Sequence, residues 1–308
     1  MIRKTNFFCV LFLLSLCSCK EYFKNDFQEN SPTSGKLNVY FDEGLNSHVT
    51  ELTEVFEANY PNAHIYLNKV NDDQAIQALL NDSCKAIIVS RPLNVQEEKA
   101  FKSKKIVADL SIVALNGMAL MANQSLPIKS LSHEIIVNLL TKDNTIIDSL
   151  GKELKLTIVF DKNNSSVLHY IKDSIIKNQA FAKHCNTLSN TNEALEYVSK
   201  TPNALAFIDF AGFSDSDDTL NRYYTNKIKF MPVKKVGSDT AYFPNQSSFL
   251  LKQYPYIRKI YVYKTAAEFS LAKGFQTFIA GPKGQHIFLK AGLMPTKQQE
   301  RSIQVKLN

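Results

Sequence analysis

Cysteine is scarce in this 308-residue chain: there are five, and only Cys84 and Cys185 lie beyond residue 19. A small scaffold stapled by several disulfides is therefore excluded. The remaining pair leaves two arrangements open, one disulfide or two buried thiols, with free thiols the simpler. No apolar run reaches the ~20 residues that a membrane-spanning helix requires. Heptads, internal repeats and blocks of like charge are missing as well. Lys and Arg outnumber Asp and Glu by 36 to 29, or by 34 to 29 without Arg3 and Lys4. That excess is scattered among acids without interleaved aromatics, so no nucleic-acid stripe forms.

Catalytic signatures are equally thin. The histidines at 48, 64, 133, 169, 184 and 286 fall in no H-E-x-x-H pattern, and neither a C-x-x-C motif, a G-x-S-x-G elbow nor a Walker A loop occurs. His184 beside Cys185 reads as a packed pair rather than a thiol with its base. The expectation is a protein that is not an enzyme and needs neither cofactor nor metal.

What the chain does have begins at its N-terminus. "MIRKTNFFCVLFLLSLCSCK" couples a basic start to about a dozen apolar residues, the layout of an export signal over residues 1–18. "LCSC" resembles the bacterial lipobox, which places a lipid on Cys19. The polar "KEYFKNDFQENSPTSGK" that follows reads as a tether over 19–35. The expected location is the cell envelope or periplasm, held to the membrane through the N-terminal lipid.

The whole chain is 44% hydrophobic and 21% charged, ordinary for a globular protein long enough for two lobes. Strand-like and helix-like segments alternate: "KLNVYF", "HVTELTEVFEANYP", "AHIYLNKV", "DDQAIQALLND", "KAIIVS" and "NVQEEKAF" come in turn. Such alternation predicts an α/β fold with a parallel sheet. "IVADLSIVALNGMALMAN" reads as two or three strands leaving the first lobe. A second unit follows, with "SHEIIVNLLTK", "LTIVF", "TNEALEYVSKTP" and "NALAFIDFAG", and a C-terminal region ends in two helices.

Three strands end in small polar residues directly before a helix: "FDEGLNS", "SRP" and "DKNNSS". A helix start offers N–H groups without intrahelical partners and a partial positive charge, so hydroxyl and amide side chains there form an anion cradle. Arg91 adds a guanidinium able to fork onto two oxygens, unless it is spent on Glu97 or Glu98.

The order of these pieces resembles the phosphate-binding lipoproteins of bacterial ABC importers, which have the two-lobed type II periplasmic-binding-protein fold. "IIVSRPLNVQEE", "DKNNSSVLHYI", "NALAFIDFAG" and the closing "YPYIRKIYVY" with "AKGFQTFIAGPKGQHIFLKAGLMP" carry the likeness. The resemblance implies one lobe from 36–115 and 228–308, a second from 116–227, and a hinge between them. It puts the ligand on Glu43, Gly44, Asn46 and Ser47, on Ser90 and Arg91, and on Asn164, Ser165 and Ser166. Implied partners are inorganic phosphate or a similar oxyanion and an importer permease, for a monomer that does not bind nucleic acid. The chain departs from the family at Asp42 and Glu43, in place of a Gly-Ser-Ser/Thr run, and at Asp161, where many members carry an arginine. One carboxylate can accept the proton of hydrogen phosphate and so disfavour sulfate. The alternative is a lipoprotein that keeps the fold as a sensor or interaction partner with altered or no anion binding.

Overall fold

A computed structural model describes residues 30–148 and 150–297. The signal segment, Cys19 and residues 20–29 of the expected tether lie outside the described residues. Strand β1 (Asn30–Ser31) folds back on β2 (Ser34–Asp42), so the last residues assigned to the tether are part of the sheet. Helix α1 (Asn46–Asn59) follows and buries Val49, Leu52 and Phe56 on one face. Each of these contributes roughly 1.5–3 kcal/mol of apolar burial. β3 (Ala63–Val70), α2 (Asp72–Leu80), β4 (Ala86–Val89) and α3 (Val95–Ser103) complete the first alternating run. Both short helices start in capping boxes, Asn71 with Gln74 and Asn94 with Glu97, which satisfy the first-turn N–H groups.

The apolar stretch read as several strands is one: β5 (Asp109–Asn123), fifteen residues long. It is continuous because it serves both lobes. After it come β6 (Leu131–Ser132), α4 (His133–Thr141) capped by Ser132, β7 (Thr145–Ile147), β8 (Glu153–Lys155) and β9 (Thr157–Phe160). Then follow α5 (Ser166–Tyr170) running on into a π-turn over Ile171–Ile175, β10 (Cys185–Thr187), α6 (Thr191–Lys200) and β11 (Ala204–Asp209). The chain returns through α7 (Thr219–Tyr224), β12 (Ile228–Phe230), β13 (Val233–Lys234), β14 (Ala241–Tyr242), α8 (Gln246–Leu250) and β15 (Ile257–Lys264). It closes with α9 (Leu271–Ala280), α10 (Pro282–Lys290) and β16 (Met294–Pro295).

The sheet order is β1-β2-β4-β15-β5-β11-β9-β10, with β3 on β2 and both β12 and β16 on β5. β2, β3 and β4 are parallel, as are β9, β10 and β11, matching the alternation in the sequence. β15 is antiparallel to both its neighbours. β15 pairs with β5 from Asp109 to Gly117, and β11 takes over from Met118. At that crossing a Cβ on Gly117 would lie 2.9 Å from the Phe249 ring, so the residue keeps the passage narrow. The result is two α/β lobes sharing one long strand. Cys84 and Cys185 are free, and burial pushes both thiols up to about 11, well away from nucleophilic character. His184 Nε2 contacts the Leu139 carbonyl at 2.7 Å, so it packs beside Cys185 without serving it.

Candidate functional site

The turns at the strand ends meet between the lobes. The first compartment, about 210 Å³, is lined by Asp42, Glu43, Gly44 and Asn46 after β2 and by Asp161, Asn164, Ser165 and Ser166 after β9. Asn190 and Thr191 at the start of α6, Asp209 at the end of β11, and Lys69 and Lys162 also line it. Local chemistry shapes each turn. Asp42 caps the one beginning at Glu43 by accepting from Gly44 N at 3.2 Å. Asn164 takes a left-handed conformation, φ 58°, which asparagine tolerates better than most residues. Ser165 then caps α5 by accepting from Leu168 N at 3.2 Å.

Six of the nine residues expected at the ligand line this compartment: Glu43, Gly44, Asn46, Asn164, Ser165 and Ser166. The other three go elsewhere. Ser47 contacts His48 Nδ1 at 3.1 Å and faces a separate small pocket. Ser90 is consumed by acids, its hydroxyl donating to Asp42 at 2.5 Å and its N–H to Asp72 at 2.9 Å. Arg91 is forked onto Glu97 at 2.7 and 2.8 Å and reaches Asp73 at 2.5 Å, the ion pair that competed with an anion in the sequence. Ser90 and Arg91 border a second compartment, about 580 Å³, which shares Ser166 with the first.

Between the two compartments lies a buried charge cluster that sequence reasoning missed. Asp42, Asp72, Asp209 and Arg258 are each at most 4% exposed. Arg258 Nη1 donates to Asp209 at 2.6 Å, and Asn116 Nδ2 donates to the same carboxylate at 2.6 Å. Asn116 and Arg258 face each other across β5 and β15, so the strand register sets this geometry. The signal was present in "YPYIRKIYVY": Tyr256, Arg258 and Ile260 share the inward phase of an alternating strand, and a charge in that phase must find a buried partner.

One arginine among three buried acids leaves negative charge in excess, and the proton equilibria respond. Burial, then the charge of Asp42, pushes the Asp72 carboxyl well above its ordinary range. Asp209 is raised by burial despite Arg258. Burial opposes the charge of Arg258, but Asp209, Asp42 and Asp72 outweigh it and hold its pKa above the usual value. Asp161 rises from 3.8 to about 7, through burial and then the charges of Asp209 and Asp42. It therefore changes protonation near neutrality, and its Oδ1 has no hydrogen-bond partner among the described residues. Arg258 Nε is likewise unpartnered. A buried polar group left unpaired costs about 1–3 kcal/mol, which such groups recover when a ligand supplies the missing atom. Glu43 and Lys162 form an ion pair across the cleft, one residue from each lobe.

Comparison with known proteins places the architecture. No curated protein sequence matches the chain. Among solved structures, the ABC-type phosphate transport receptor of Vibrio cholerae matches with a TM-score of 0.65 at 14% identity, over 85% of this chain and 100% of that one. A Clostridium perfringens protein named for a phosphate ABC transporter and solved with bound phosphate gives 0.68 at 19% identity, over 85% and 100%. PstS of Borrelia burgdorferi gives 0.59 at 15% identity, over 85% and 99%. At these identities the likeness is one of fold. The family model described as the PBP superfamily domain matches residues 28–283, nearly the whole body, and the chain belongs to that periplasmic-binding-protein family.

Proposed function

We propose that the chain is an exported, lipid-anchored receptor that captures an oxyanion, phosphate first among them, between its lobes and hands it to an ABC importer permease. The observation that carries this reading is the convergence of turns from both lobes on one cavity, with a carboxyl at about 7 among them. Hinge closure would enclose the solute, and release requires only reopening, with no covalent step. Asp161 fits a ligand that itself carries a proton. Neutral, it donates to an oxyanion; ionised, it accepts from hydrogen phosphate, which sulfate cannot match.

Titration calorimetry at pH 7 tests the reading. Phosphate should release heat, sulfate should bind poorly, and Asp161→Asn should narrow the gap. Wild-type protein silent to phosphate refutes it. The anchor has its own test: the wild type should partition into detergent and Cys19→Ala should not. A second reading, a lipoprotein that keeps the fold as a sensor or interaction partner, is favoured by one observation. The smaller compartment carries the four carboxylates Asp42, Glu43, Asp161 and Asp209 against only Lys69 and Lys162. A mass spectrum of gently purified protein with no retained anion, together with silent calorimetry, would select it.

A further inference from the structure

The two compartments of the cleft have opposite electrical character. The smaller is lined by the four acids and two lysines, whereas the larger is lined by Arg91, Lys172, Arg258 and Lys259 against Asp73 and Asp173, with Arg91 paired to Asp73. Lys172 and Lys259 are exposed and make no ion pair among the described residues. Arg258 lines the larger compartment and not the smaller one. One end of its guanidinium is committed to Asp209 at 2.6 Å, while its buried Nε–H has no acceptor among the described residues. Its central carbon stands 5.6 Å from the centre of the ring of Tyr170, a residue that lines the same compartment.

Size separates this compartment from an inorganic anion site. A volume of about 580 Å³ falls within the ~300–1,000 Å³ of pockets that enclose organic ligands, far more than one tetrahedral oxyanion fills. Its walls include the apolar surfaces of Leu93, Tyr170, Ile257 and Tyr261, which a bare phosphate would leave wet. Residues 90–94 and 257–261 come from one lobe and 166–174 from the other, so closing the hinge would shut this space as well as the smaller one.

We propose that the larger compartment is the seat of an organic anion. Its acidic group accepts from Arg258 Nε with Lys172 and Lys259 at the rim, and its carbon skeleton lies along Leu93, Tyr170 and Ile257. This rests on the reading that the cleft takes an oxyanion, and it moves the acidic group away from the carboxylates of the smaller compartment and onto the buried arginine.

Calorimetry of the full chain in detergent with phenyl phosphate and with inorganic phosphate tests it. Phenyl phosphate should bind at least ten-fold tighter. Lys172→Glu combined with Lys259→Glu, both exposed, should weaken it ten-fold or more at an unchanged melting temperature. The same charge reversal at Lys99 and Lys129, which line neither compartment, should change affinity less than two-fold. Arg258→Lys should also weaken binding, but the rim pair decides the matter if that variant fails to fold. Equal affinity for the two anions, or indifference to the rim reversal, overturns the inference while leaving the oxyanion reading intact. If neither anion binds, both fall.

Discussion

Asp161→Asn should make the protein more stable, by an amount that grows from about pH 4 and is complete above about pH 7. Burial and the neighbouring Asp209 and Asp42 raise this carboxyl from 3.8 to about 7, roughly three pH units at ~1.4 kcal/mol each, so the ionised form costs the fold about 4 kcal/mol. The sign follows from which state holds the proton. Between pH 4 and 7 the native chain keeps the proton that the unfolded chain releases, so stability falls as pH rises and the full loss is present above pH 7. His48 runs the other way. Burial lowers it to about 4, so below its ordinary 6.5 the unfolded chain gains a proton that the native chain refuses, and stability falls as pH drops. A raw stability profile therefore mixes the two, but the difference between wild type and Asp161→Asn isolates the aspartate. Urea denaturation at pH 5 and pH 8 should show a gain for the variant of up to about 4 kcal/mol at pH 8 and much less at pH 5. Equal gains at both pH values, or a loss at pH 8, would refute the argument that Asp161 is strained by its own charge.

Other expectations can be checked alongside. Arg91→Ala should leave the affinity for phosphate within about three-fold, since its guanidinium already serves Glu97 and Asp73; a hundred-fold loss in calorimetry would show that closure frees it for the ligand. Gly274→Ala should detach the N-terminal hairpin from α9, because a Cβ there runs into the Pro32 carbonyl, and limited proteolysis near residue 32 should quicken while the body stays folded. Truncation after residue 230 removes β15 from between β4 and β5 and should abolish cooperative melting; an unchanged transition would contradict that placement. Arg258→Met with Asp209 retained should destabilise by about 3–5 kcal/mol in chemical denaturation, because it leaves a buried carboxylate unpaired.

The sequence carried the elements well and the pairing of charges poorly. Helices announced themselves through their apolar spacing, and the structure starts them at the caps Asn71, Asn94 and Ser132, because capping is a local contest over first-turn N–H groups. β5 was divided in reading because its alternation gives way to near-continuous burial from Val113, while the change of partners at Gly117 and Met118 is a tertiary event with little local mark. Glu43, Gly44, Asn46 and the 164–166 turn were found because strand-to-helix turns in such sheets lie at one edge. Ser90 and Arg91 border the neighbouring compartment instead, and of their partners only Glu97 was legible. Asp72 and Asp73 lie eighteen residues before them in sequence and only side-chain distance away in the fold.

The buried cluster explains how the acids in these turns can be tolerated. Asp42, Asp161 and Asp209 would repel one another and any anion if all were ionised in a dry site. Arg258 neutralises Asp209, Ser90 donates to Asp42, and the rise of Asp161 to about 7 lets it stay neutral half the time at neutral pH. Negative charge is thus reduced by pairing and protonation rather than by removing carboxylates. An arriving anion does not then face four full charges. It meets a cluster whose charge adjusts through one proton on Asp161, and binding should take up a proton whenever the pH lies above about 7. Calorimetry in two buffers of different ionisation enthalpy measures that uptake directly. Heats that do not depend on the buffer at pH 8 would mean that Asp161 takes up no proton, so that it meets the anion ionised, accepting the proton of hydrogen phosphate, or does not meet it at all.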